Sequence, residues 1–243
     1  MHVSSYGIML LLALIASNLV VFFLRKRMGI SFEDTVLTEA YMLLGAIVGA
    51  KIMYIALSFD IIDWARVLSS LEEIGAFLNS GFVFYGGLIG ALSSLLIASF
   101  IHKKNYFLFL ENIAFVIPLM HGIGRIGCFL SGCCYGIPYT GPLAVVYSFS
   151  DTPRFPVQLL EAGLLFLLFV FLLIYRLKEG KYSLEFYLIS YSVIRIITEQ
   201  FRGDTVRGVF LGQGISVWVS VLLLIFSFIL LFIRKQIAKR TLR

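Results

Sequence analysis

About seven apolar runs, each near the ~20 residues that cross a hydrocarbon core, govern what this chain can fold into. They are Tyr6–Leu24, Thr38–Leu57, Phe82–Ile101, Tyr106–Ile123, Val157–Tyr175, Ser183–Glu199 and Leu211–Ile233. A water-soluble domain has one core to fill, whereas here nearly every segment is apolar. Only 14% of the 243 residues are charged, against roughly 25% in a soluble domain, and the mean hydropathy is +0.95. No stretch is polar enough to form a separate soluble domain. Residues 1–243 therefore read as a single polytopic membrane domain, all-α, with about seven transmembrane helices.

The net charge of +6 would suit nucleic acid if the basic residues were spread over a soluble surface. Instead they cluster: Arg25-Lys26-Arg27, Lys103-Lys104 after His102, Arg176 to Lys181, and a tail carrying Arg234, Lys235, Lys239, Arg240 and Arg243. Alternating threading with the N-terminus outside puts all four clusters on one side, as the positive-inside rule requires of the cytoplasmic face. The C-terminus is then cytoplasmic, and no nucleic-acid partner is expected. The first run is not expected to be a cleaved signal peptide, because its basic flank follows the apolar stretch.

Two outer segments stand out on this topology. One runs from about Phe59 to Gly81. The other, Gly124 to Pro156 between spans 4 and 5, is rich in Gly, Pro and aromatics, and a loop of that length is usually functional. Gly45-(x)3-Gly49 and Gly86-Gly87-(x)2-Gly90 have the small-xxx-small spacing that brings membrane helices close; backbone approach to a lipid substrate is the alternative.

An ionised group within a span costs at least ~2.5 kcal/mol on insertion scales, so each needs a partner or a task. Tyr187, Tyr191, Arg195 and Glu199 recur every four residues, with Arg202 three further on, so they share one helix face. Between His121 and Gly136 the sequence HGIGRIGCFLSGCCYG has so much glycine around Arg125 that it predicts a non-helical backbone cradle. The planar fork of an arginine suits a phosphate. Arg125, Arg154, Arg195 and Arg202 together would suit an anionic lipid headgroup. In Arg154-Phe-Pro-Val-Gln158-Leu-Leu-Glu161, Pro156 starts a helix. Gln158 and Glu161 share a face, where they either cap that helix or hold an arginine in place.

Taken in order, these motifs resemble the bacterial prolipoprotein diacylglyceryl transferases. The resemblance is carried by Tyr6-Gly7 at the first span, Gly45 to Tyr54, Tyr85-Gly86-Gly87-Leu-Ile-Gly90, and Gly124-Arg125-Ile-Gly127 through Tyr135-Gly136. It continues through Arg154 to Glu161, Arg195, Glu199, Phe201-Arg202, Asp204 and Gly212-Gln213. It implies a seven-span enzyme of the bacterial plasma membrane, active at the outer leaflet. Such an enzyme moves the diacylglyceryl group of phosphatidylglycerol onto the lipobox cysteine in the signal-peptide region of a secreted prolipoprotein and releases glycerol phosphate. Surrounding membrane lipids are further partners. The resemblance also implies Arg125, Arg195, Glu199 and Tyr6 as catalytic positions, with Arg125, Gly136, Tyr85, Arg154, Gln158, Glu161 and Arg202 binding substrate. No cofactor is implied.

The chain departs from the family pattern at four places. Tyr85 stands where the family has histidine, Cys128 where it has asparagine, Cys133 where it has glutamate, and Lys51 where arginine is usual. Two other readings therefore fit the same residues: a paralogue using the same donor with another acceptor, and a non-catalytic lipid-binding membrane protein. The three cysteines, Cys128, Cys133 and Cys134, could pack as small apolar residues. They could also form a disulfide from Cys128 to Cys133 or Cys134, or supply a reactive thiol at Cys133, activated by Arg125. Their C-(x)4-C-C spacing is not a standard zinc pattern, and no metal is expected.

Overall fold

The computed structural model describes residues 5–203 and 209–241; Asp204 and Arg243, singled out above, lie outside them. The first helices are α1 (Ser5–Met28), α2 (Phe32–Ser58), the short α3 (Trp64–Val67) and α4 (Leu71–Asn79), and α5 (Phe84–His102). Next, α6 (Tyr106–Ile113) runs through one 3-10 turn into α7 (Ile117–Leu130). After a hairpin of β1 (Val145–Tyr147) and β2 (Ser150–Arg154) come α8 (Val157–Leu177) and α9 (Ser183–Glu199). A second small hairpin, β3 (Val209–Phe210) and β4 (Gln213–Gly214), leads into α10 (Ile215–Thr241).

Among the described residues, six helical stretches are long and apolar enough to cross a membrane: α1, α2, α5, α6–α7, α8 and α10. The chain is an all-α integral membrane protein. The remaining expected span is α9, a 17-residue helix that carries the polar stripe Tyr187–Glu199. Large apolar side chains such as Phe23 and Phe100 point outward from the spans, as on helices solvated by lipid.

The packing gathers into two compact units, residues 31–110 and residues 1–30 with 111–243. In the first, Ser31 caps α2 by accepting from the Asp34 amide at 3.2 Å, with Glu33 and Asp34 at the positive end of the helix dipole. The glycines of α2 and α5 then meet backbone to backbone. A Cβ on Gly49 would lie 2.4 Å from the Gly86 carbonyl oxygen, and one on Gly90 2.0 Å from that of Gly45. The packing reading of these glycines holds. Lys51 hydrogen-bonds the Phe77 carbonyl and, at 2.6 Å, that of Ser80, with its ammonium 3.9 Å from the centre of the Phe77 ring. Asp34 pairs with Lys104 at 2.8 Å.

In the other unit, α7 packs against α1 and α8, α8 against α9, and α9 against α10. The glycine-rich stretch from His121 departs from expectation. It is not an open cradle; α7 stays helical to Leu130, and the loop starts only at Ser131. Two of its helical glycines serve helix contact instead: a Cβ on Gly122 would meet the Phe166 ring at 2.7 Å, and one on Gly127 would meet Met9 and Tyr6 at 3.1 Å, whereas one on Gly124 would meet nothing within 4 Å. An opened backbone would also leave amides and carbonyls unpaired at membrane depth. At the far ends of these helices Arg234, read above only as part of a basic tail, bridges Glu111 and the fully buried Glu185. Beside this, Arg176 donates to Asn112 at 2.9 Å.

Candidate active site

The site lies within the unit formed by residues 1–30 and 111–243, where three helices each bring a charge to one place. Arg125 comes from α7, Glu161 from the second turn of α8, and Arg195 from the last turns of α9. All three are buried, with exposures of 9%, 1% and 4%. Glu161 stands between the arginines, its Oε1 taking Arg125 at 2.8 Å and its Oε2 facing Arg195 at 3.6 Å. Arg195 also pairs with Glu199 one turn on at 2.7 Å, and Arg202 approaches the same Glu199 oxygen at 3.8 Å. The result is a ladder, Arg125–Glu161–Arg195–Glu199–Arg202. The four-residue periodicity of α9 predicts its lower half, and Tyr187 and Tyr191 stack below it with rings 11° apart.

Among the described residues this ladder joins three guanidiniums to two carboxylates. Among them, too, the Nε of Arg125 is buried with no hydrogen-bond partner, and so is that of Arg154. A buried donor without an acceptor is destabilising by about 1–3 kcal/mol or more when charged. The Nε groups of Arg125 and Arg154 are thus donors that an added acceptor can satisfy.

The neighbouring residues hold the loop that follows α7. Gln158, 1% exposed, donates to the Cys133 carbonyl at 2.7 Å and accepts from the Tyr147 hydroxyl at 3.2 Å. It thus anchors the loop, while Glu161 alone does the arginine-holding expected of the pair. Arg154 donates to the Gly136 carbonyl at 3.3 Å and lies over the Tyr135 ring. Gly136 bridges to Arg202 in antiparallel fashion. It has no room for a side chain, since a Cβ would lie 2.3 Å from the Phe155 carbonyl oxygen. Tyr6 on α1 lays its ring against Gly127, two residues beyond Arg125. Tyr85 belongs to the unit of residues 31–110, on the first turn of α5.

Two features escaped the sequence reading. His121 lies one turn before Arg125 on α7; its Nδ1 is 3.1 Å from the Tyr187 hydroxyl and its ring lies tilted against that of Tyr191, with centroids 4.7 Å apart. The signal was the i, i+4 spacing of His121 and Arg125. The second is the Cys133 environment. Its surface is exposed, but its sulfur turns back to the Cys128 carbonyl at 3.5 Å. Burial there and the adjacent Cys134 push the thiol pKa up, the reverse of the lowering expected from Arg125.

Fold and site together define a multi-pass helical membrane protein with a buried arginine–carboxylate ladder. Residues 1–233 match the model of the family described as prolipoprotein diacylglyceryl transferase. Among curated proteins, the chain is 35% identical to the phosphatidylglycerol–prolipoprotein diacylglyceryl transferase of Clostridium tetani, over 84% of this chain and 82% of that one. It is 32% identical to the Clostridium perfringens protein of that name numbered 2, over 97% and 92%, and 32% identical to that of Finegoldia magna, over 96% and 92%. The chain belongs to the prolipoprotein diacylglyceryl transferase family and is a transferase.

Proposed function

We propose that the chain transfers the diacylglyceryl group of phosphatidylglycerol to the lipobox cysteine of prolipoproteins at the outer leaflet of the bacterial plasma membrane. Family membership supports the reaction, as do relatives named for this donor and acceptor over nearly their whole length. The observation within the molecule that carries it is the buried ladder with its unspent Arg125 Nε.

In this reading the acceptor sulfur, having given up its proton, attacks the glycerol carbon that bears the phosphodiester oxygen. A C–S bond forms, the C–O bond breaks, and its electron pair leaves with glycerol phosphate. Arg125 and Arg195 hold the phosphate and stabilise the charge that grows on it. Glu161 and Glu199 position them, Arg202 closes the ladder, and Tyr6 lines the headgroup pocket. Arg154, Gln158 and Gly136 shape the loop that faces the prolipoprotein signal-peptide region, and Tyr85 is a further substrate-binding residue. Surrounding membrane lipids solvate the spans.

The same donor with a different acceptor is a second reading, favoured by Tyr85, Cys128 and Cys133 standing where the family keeps histidine, asparagine and glutamate. The test is expression in cells depleted of their own transferase, with lipid-modified precursor as the readout. Restoration supports the orthodox acceptor. Consumption of phosphatidylglycerol without precursor modification selects the second reading, and neither, despite correct membrane insertion, refutes both.

A further inference from the structure

The three cysteines form a cluster that the transferase ladder does not use. Cys128 lies in the last turn of α7, and the turn through Ser131 and Gly132 folds the chain back so that the Cys133 amide donates to the Cys128 carbonyl at 3.1 Å. Cys134 then adopts a left-handed backbone at φ 62°, an uncommon conformation for a residue other than glycine and one that marks a function when a site requires it. The consequence is that all three sulfurs lie within 4.8 Å of one another. None of the three is in a disulfide, and one is buried, one half-buried and one exposed.

We propose that this cluster is a three-coordinate site for a soft, thiophilic monovalent cation of the Cu(I) type. Thiolate ligands select such ions. A trigonal ion with metal–sulfur bonds of ~2.3 Å sets its sulfurs about 4 Å apart, so the cluster needs only a small contraction. Among the described residues no His, Asp or Glu ligand atom joins the three sulfurs, and the Nδ1 of His121 already meets Tyr187. A four-coordinate zinc site therefore lacks its fourth protein ligand. A disulfide would use two sulfurs and strand the third, whereas a trigonal ion uses all three. Exposed Cys133 gives the ion an entry path. Arg125, three residues before Cys128 on the same helix face, offsets the negative charge of the thiolates.

The test uses the full chain, purified in detergent under reducing, anaerobic conditions and titrated with Cu(I) against a chromophoric Cu(I) chelator. One Cu(I) should bind per chain, and all three cysteines should be protected from maleimide alkylation, as read by mass spectrometry. Single serine substitutions at Cys128, Cys133 and Cys134 should each weaken binding by at least about tenfold. Because Cys133 is exposed, Cys133→Ser should leave thermal unfolding unchanged, so its loss of Cu(I) reports a lost ligand and not a lost fold. Three results would overturn the proposal. These are Cu(I) uptake that survives the triple serine variant, tighter binding of Zn(II) than Cu(I), and a Cys128 disulfide to either neighbour in protein isolated without reductant. None of these readouts depends on lipid transfer, so the proposal stands or falls apart from the transferase reading.

Discussion

Arg125 on α7 and Glu161 on α8 meet at 2.8 Å with both side chains almost wholly removed from solvent. The second oxygen of the same carboxylate faces Arg195, so one glutamate holds together arginines from two helices. Deleting one member of a buried pair leaves an uncompensated charge and destabilises by about 3–5 kcal/mol. Glu161→Ala is expected to lose stability on that scale, measured by thermal unfolding in detergent. Glu161→Gln, which keeps an acceptor but not the charge, is expected to lose less stability and still lose transfer.

Arg195 sits between two carboxylates, and its guanidinium reaches both. Arg195→Ala should reduce lipid transfer by at least ~10²-fold, the scale of one lost group that stabilises charge in the transition state. Arg195→Lys should not rescue it, because an ammonium lacks the planar fork that serves two acceptors at once. The assay is precursor lipidation in depleted cells, with membrane abundance of each variant as the control.

The glycine seam between α2 and α5 admits no added atom at Gly90, where a Cβ would approach the Gly45 carbonyl oxygen to 2.0 Å. Gly90→Val should force the helices apart, at a loss of about 1–3 kcal/mol or more for overpacking, and lower the yield of inserted protein. Gly75, around which a Cβ meets nothing within 4 Å, is the matched control: Gly75→Ala should leave yield unchanged. Immunoblotting of membranes after a protease-accessibility assay reads both.

Tyr147 donates to Gln158 from a buried position, and its burial raises the phenol pKa above the ordinary tyrosine range. The neutral phenol is thus the form the folded loop favours. Its stabilising contribution is whole below the unfolded-state value and is lost as pH rises through that value towards the folded one. Ultraviolet titration should show a loop tyrosine that ionises later than exposed ones and is missing in Tyr147→Phe. A phenolate that forms in the ordinary range would refute this.

Much of this fold is legible in the sequence because lipid leaves few choices. A segment as apolar as Val157–Tyr175 has nowhere to go but through the bilayer, and the helix found, Val157–Leu177, starts where Pro156 predicts. The Arg195–Glu199 pair is legible for a related reason, since helix periodicity fixes which residues can touch. The course of residues 121–130 is not. Glycine is read there as freedom for the backbone, but its effect in a membrane is close approach, and that depends on Met9 and Phe166 from distant helices. The division of labour between Gln158 and Glu161 is hidden likewise, because their partners come from separate parts of the chain. The ion pairs of Arg234 are hidden for a simpler reason: a tally of positive charge cannot see that Glu111 and Glu185 face it.

Gly136, pressed against the Phe155 carbonyl, has one more consequence. The backbone around it is tied on both sides: Ile137 to the Phe201 carbonyl, Gly203 to that of Tyr135, Tyr139 to that of Pro153, and Phe155 to that of Ile137. Swinging residues 135–139 outward breaks all four ties together, at roughly 0.5–1.5 kcal/mol each, and takes the Gly136 carbonyl away from Arg154. These residues therefore form a braced edge beside the ladder and not a loose flap.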